Sequence, residues 1–200
     1  MVMAVAVAAF CWPVQAWSGP SHSTSYDYYT IRGDTAAEIY DSMIKRGPKV
    51  NGARAYAATS ATTTQKGKLL QGPSCQIKDY HLKLDFVIRL PKIRNEKVLP
   101  AADRKRWQQF STFLRTHEET HRKIWLDCAA DLERRVEAIK AKSCKDADRK
   151  ATQLWDKIRA ACNIRHEAFD AAEQKRLMAH PFVDLVFRHS QTTMHGAGAQ

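Results

Sequence analysis

The sequence predicts an α+β domain: a small antiparallel sheet, a long helix packed on it, and a second helix running antiparallel to the first. Three features carry the prediction. From Tyr80 to Leu90 apolar and polar residues alternate, the signature of a strand with one face on a core and the other in water. From about residue 100 to about residue 142 the apolar spacing changes to steps of three and four, the period of a helix with one buried face. Ser143-Cys144-Lys145 interrupts that pattern, and a second helical run follows to about Arg176. With 200 residues, 44% of them hydrophobic, and only 8 Gly and 7 Pro, the chain suits one globular domain and excludes collagen-like, low-complexity and disordered classes.

Taken in order, Met1 to Ala16 is uncharged and apolar at its start, and it ends in Val14-Gln15-Ala16, a small-x-small pattern read as a secretory cleavage site. Residues 17–25 form a polar lead, 26–178 the domain, and 179–200 a weakly ordered C-terminal extension. Tyr26 to Ile31, rich in Tyr with Thr and Ile, reads as a strand. Thr35-Ala36-Ala37-Glu38 is a capping box opening a short helix that Gly47-Pro48 stops. Ala55 to Gln65 reads as a strand, and Lys66 to Ser74, with two glycines and a proline, as a loop. The alternating strand follows, ended by Pro91. On the long helix, Trp107, Phe110, Leu114, His117, His121, Ile124, Cys128, Leu132, Val136 and Ile139 form one stripe. The second helix presents Leu154, Trp155, Ile158, Cys162 and Phe169.

Lys and Arg number 32 against 21 Asp and Glu, a net charge of +11. A basic chain attracts anions. The basic groups here alternate with acids along helical stretches, which is the pattern of a solvated helix face, so nucleic acid is not expected as a partner. No run of about 18 apolar residues occurs outside the N-terminus, and no transmembrane span is expected. Cys75, Cys128, Cys144 and Cys162 remain after removal of the leader, an even number that in an exported chain implies two disulfides. The expected localisation is secreted or periplasmic.

His117-Glu118-Glu119-Thr120-His121 is H-E-x-x-H on the long helix. Side chains at i and i+4 share a face one turn apart, so two imidazoles can take two corners of a zinc tetrahedron, with Glu118 beside them as general base toward water. One Zn2+ is therefore expected. Asp127 stands where one common extension of the motif supplies a third ligand. However, Ile124 replaces the Gly that lets the chain leave the helix, and Asp127 points off the zinc face. The third ligand must then come from the following helix or beyond. At ~1.5 Å rise per residue, an antiparallel second helix returns to the level of His121 near residue 166 and of His117 near 170. That zone holds His166, Asp170 and Glu173. The same levels place Cys128 within a turn of Cys162. Cys144 and Cys162 lie ~27 Å apart along one helix, beyond the ~7 Å reach of a disulfide. The expected bridges are Cys128–Cys162 and Cys75–Cys144.

The order of features resembles an uncharacterised bacterial family, domain of unknown function 922, described as predicted secreted zinc-dependent proteases. The resemblance runs from about Tyr28 to Asp170. It rests on Tyr29-Thr30-Ile31-Arg32-Gly33-Asp34-Thr35-Ala36-Ala37-Glu38, the Cys75 strand, Leu90-Pro91, the Trp107 helix, His117 to His121, Cys144 and Phe169-Asp170. The family ends in a pattern like Tyr-Asp-x-x-Thr-x-His-Gly. Phe169-Asp170 matches its start, whereas Thr193-Met194-His195-Gly196 looks like its second half, displaced by about twenty residues. The resemblance implies a zincin-like fold and peptide-bond hydrolysis on a protein or peptide substrate. It makes Asp170 the expected third zinc ligand, with His195 and His166 as alternatives; the last two are also candidates to stabilise the oxyanion. Two other readings stay open: a degenerate member that binds zinc and cleaves nothing, and a basic module that binds an anionic envelope surface.

Overall fold

The computed structural model describes residues 19–187, so the expected signal segment and the candidate ligand His195 lie outside the described residues. Strand β1 (Ser21–Ile31) leads into helix α1 (Ala36–Arg46). Thr35 caps α1: its hydroxyl accepts from the Glu38 N–H at 3.2 Å, and the Glu38 carboxylate reaches back to the Asp34 N–H at 2.7 Å. A short hairpin follows, β2 (Lys49–Val50) and β3 (Ala53–Arg54), turning through Asn51 and Gly52, whose φ values of 50° and 84° are the left-handed pair that an Asn-Gly turn supplies. Then come β4 (Ala58–Gln71), β5 (Cys75–Ile93), a 3-10 turn, helix α2 (Ala101–Glu137), β6 (Lys140–Ala141) and helix α3 (Cys144–Met178). Residues 181–187 are again helical and are called α4.

The α+β class is as expected, but the sheet is mixed, not antiparallel. Its order is β1-β5-β4, with β6 on the end of β5; β4 and β6 run antiparallel to β5, and β1 runs parallel to it in the register Tyr26↔Ile88. Alternation along a strand reports one-sided burial and says nothing of a neighbour's direction. α1 and the small hairpin carry the chain from β1 to β4 on the far side of β5, and the β4–β5 turn then brings β5 back between them, parallel to β1. The expected loop at 66–74 is also corrected. β4 continues to Gln71, with a register shift between Lys66 and Lys68 that absorbs Gly67, and only residues 72–74 turn. Pro91 does not end β5, which runs to Ile93. The long helix stops at Glu137, short of the expected residue 142, because Lys140–Ala141 pairs with Cys75 and Gln76 at the sheet's end.

The core has two parts strung along α2. Trp107, Phe110 and Leu114 pack with α1, the ends of β1 and β5, and α4. Ile124, Cys128, Leu132 and Val136 pack with the first half of β5 and with α3. His117 and His121 fall at the junction, half-buried rather than within the stripe, and Glu118 takes the buried position between them. Both expected disulfides are present. Cys75–Cys144 ties the sheet to the corner before α3, where Ser143 caps the helix, and Cys128–Cys162 joins α2 to α3.

The segment from His180, expected to be weakly ordered, is docked as far as residue 187. Phe182 and Val183 are fully buried, and Phe182 lies 5.3 Å from the rings of both Trp107 and Phe110. About two helical turns from Pro181 are too short to show a period, which is why the sequence pattern missed them. Phe182→Ala is expected to lower unfolding stability by about 3–5 kcal/mol in denaturant titration, the usual cost of emptying a buried aromatic site. A loss under about 0.5 kcal/mol would mean that α4 does not belong to the core.

Candidate metal centre

Two consecutive turns of α2 present His117 and His121, and α3 returns antiparallel to bring Asp170 over them. The Nε2 atoms of His117 and His121 lie 3.1 Å apart. Asp170 Oδ1 is 3.2 Å from His117 Nε2 and 2.9 Å from His121 Nε2. Among the described residues, this is the cluster of three His, Cys, Asp or Glu side chains that can converge on one ion. Tetrahedral zinc with bonds of ~2.0–2.1 Å holds its ligand atoms ~3.3–3.4 Å apart. The triangle here needs to open by only a few tenths of an ångström, and two imidazoles with one carboxylate are an ordinary zinc donor set that leaves a fourth position open. The residues fit the ion.

The surroundings fix these side chains. The Phe169 ring stacks on His117 at 4.8 Å and meets His121 edge-on at 5.1 Å. Burial holds the His117 imidazole below its ordinary value, helped by the neighbouring His121 and opposed by Asp170 and Glu173. His166, an alternative for the third position, stands outside this cluster. Its Nδ1 lies 2.8 Å from His121 Nδ1, behind the ring and away from the Nε2 cluster. Burial and then His121 push its pKa down to about 4, so it is neutral. Asp127 pairs with Lys123 and Arg165, off the face as expected. Glu173 pairs with Arg176 at 2.7 Å and lines the cleft beside Asp170.

The two glutamates of the motif part company. Glu119 turns outward and accepts a hydrogen bond from the Tyr26 hydroxyl at 2.6 Å. Glu118 is only 4% exposed and faces β4, where the Thr59 hydroxyl lies 2.8 Å from its Oε2 and 3.0 Å from its backbone oxygen. Burial pushes the Glu118 carboxyl up to about 7, the Thr59 hydrogen bond pulls against this, and Asp170 adds to the rise. A carboxyl balanced near neutrality can both take and return a proton. Thr59 went unnoticed in the sequence, because nothing in the Thr-rich run of β4 marks which hydroxyl faces the helix.

The centre opens into a cleft of about 770 Å³, walled by α3 on one side and by α1 and the β2–β3 hairpin on the other. Its floor is α2 and the start of β4. Tyr56, Phe113 and Leu177 make one end apolar, while Trp125 and Asn163 line the other. Such a volume suits a segment of a larger molecule.

Among the described residues, these distances make Asp170 the candidate third ligand. Elemental analysis of the chain ending at Ser190 should still find about one zinc per molecule. Asp170→Ala in the full chain should lose it. Loss on truncation with retention in Asp170→Ala would assign the position to the tail instead.

The family model described as bacterial protein of unknown function (DUF922) matches residues 26–178, from the middle of β1 to the end of α3. No curated protein and no solved structure matches the chain. The matched span holds the whole sheet from Tyr26 onward, the H-E-x-x-H helix, Asp170 and both disulfides, and the chain belongs to the DUF922 family.

Proposed function

We propose that this protein is an extracytoplasmic, zinc-dependent peptidase with a zincin-like centre. The observation that carries the reading is the convergence of His117 Nε2, His121 Nε2 and Asp170 Oδ1 to within 3.2 Å of one another, beside a buried glutamate and at the bottom of an open cleft. Bound zinc would supply Lewis acidity toward a carbonyl group and toward water. The other tasks fall to the chain. His117, His121 and Asp170 hold the ion. The Thr59 hydroxyl fixes one Glu118 oxygen and leaves the carboxyl free to take the proton of attacking water and deliver it to the leaving amine. The Phe169 ring covers the His117 and His121 imidazoles, and the Trp125 ring packs on His166 beside them. The cleft accepts a stretch of polypeptide, with its apolar end taking a side chain on the Phe113 and Leu177 side.

The two disulfides and the lack of any helix long and apolar enough to cross a membrane among the described residues are consistent with export. The basic surface does not favour a nucleic-acid role. Arg134, Arg135, Arg149, Arg159 and Arg176 each engage an acidic side chain on their own helix, a solvated ladder rather than an anion-binding groove.

Glu118→Gln should retain fold and zinc but lose at least about 10²-fold in hydrolysis of an unstructured protein substrate such as casein. Unchanged hydrolysis in that variant would remove Glu118 from the reaction. Stoichiometric zinc with no turnover in the wild-type chain would favour a metal-binding member that cleaves nothing.

A further inference from the structure

The His121 ring is held from both sides. Its Nε2 faces His117 and Asp170, and its Nδ1 lies 2.8 Å from Nδ1 of His166. One hydrogen must lie between the two Nδ1 atoms, and only two neutral arrangements satisfy the contact. In one, His166 donates, and the hydrogen of His121 sits on Nε2, pointing at Asp170. In the other, His121 donates from Nδ1, and its Nε2 presents a bare lone pair to the cluster. Only the second lets His121 bind an ion. It requires His166 to accept at Nδ1 and to carry its own hydrogen on Nε2, where Cys162 Sγ lies 3.8 Å away as a weak acceptor.

We propose that His166 is the positioning residue of the metal centre, locking His121 in the tautomer and ring orientation that binds zinc through Nε2. The inference rests on the reading of His117, His121 and Asp170 as a metal site. Ligating histidines elsewhere donate their second N–H to a carboxylate or carbonyl; here the acceptor is a neutral imidazole. That acceptor is itself fixed. Cys162, one turn earlier on α3, is bridged to Cys128 on α2, and the Trp125 ring lies 5.0 Å from the His166 ring. The bridge between the helices thus also sets the distance between the two imidazoles. A carboxylate in the same place would add a second negative charge beside Asp170, whereas an imidazole orients His121 without changing the charge of the site.

The test is a zinc titration of the oxidised full-length protein against a chromophoric chelator, with folding of each variant checked by circular dichroism. His166→Ala and His166→Phe should both weaken zinc binding by about 10–100-fold, one leaving space and the other filling it without an acceptor. His166→Asn, whose carbonyl oxygen stands near the former Nδ1, should recover most of the affinity. In the zinc-loaded protein, 15N NMR should place the hydrogen of His121 on Nδ1. Affinity within twofold of wild type in His166→Ala overturns the proposal, as does recovery by Phe but not by Asn, which would show a packing role. A wild-type chain that binds no zinc overturns instead the metal reading on which the proposal rests.

Discussion

Helices α2 and α3 lie antiparallel and are bridged between Cys128 and Cys162, and this pairing sets the distance of Asp170 from the two histidines of the centre. α2 alone carries two imidazoles one turn apart and a glutamate, which is half a metal site. The third ligand comes from a helix whose register on α2 is free in principle, since a slide of one turn moves each side chain by ~5.4 Å and would take Asp170 out of reach. The bridge removes that freedom, and Ile124, Leu132, Val136 and Ile158 pack around it. At the far corner Cys75–Cys144 fixes where α3 begins, so the return path is set at two points. The geometry at Asp170 follows from covalent constraint as much as from packing.

The interruption of the core is the second constraint. α2 is mainly apolar toward its neighbours before Leu114 and after Ile124, where the buried Glu133 accepts from the Leu82 N–H, and the stretch between carries the motif. Polar side chains there cost stability unless they are partnered. Each has a partner: Glu118 with Thr59, His121 with His166, and both histidines with Asp170. The sheet therefore does more than support the helix. By placing Thr59 of β4 against Glu118, it holds the one buried carboxylate of the motif, and the other face of the same site is left open as the cleft.

Much of this was legible in the chain. The period of three and four from Trp107 to Val136 predicts α2, the spacing of His117 and His121 predicts their shared face, and rise per residue alone predicts Cys128–Cys162 and the level of Asp170. What the sequence did not carry is direction and side. The alternation in β5 shows which residues are buried but not that β1 lies parallel to it. The level of His166 matches that of His121, but level does not tell whether a side chain reaches the front of the imidazole or its back. Thr59 is one threonine in a run of similar residues, and Phe182 sits in a helix too short to display a period. In each case the missing information lies in long-range packing.

The central claim is that His117, His121 and Asp170 together hold one zinc. Anomalous diffraction at the zinc absorption edge, from crystals of the protein grown with zinc, tests it most directly. The account predicts a single strong peak ~2.0–2.2 Å from His117 Nε2, His121 Nε2 and an Asp170 carboxylate oxygen. A peak bound elsewhere, or one that reaches the two histidines while Asp170 points away, would contradict it.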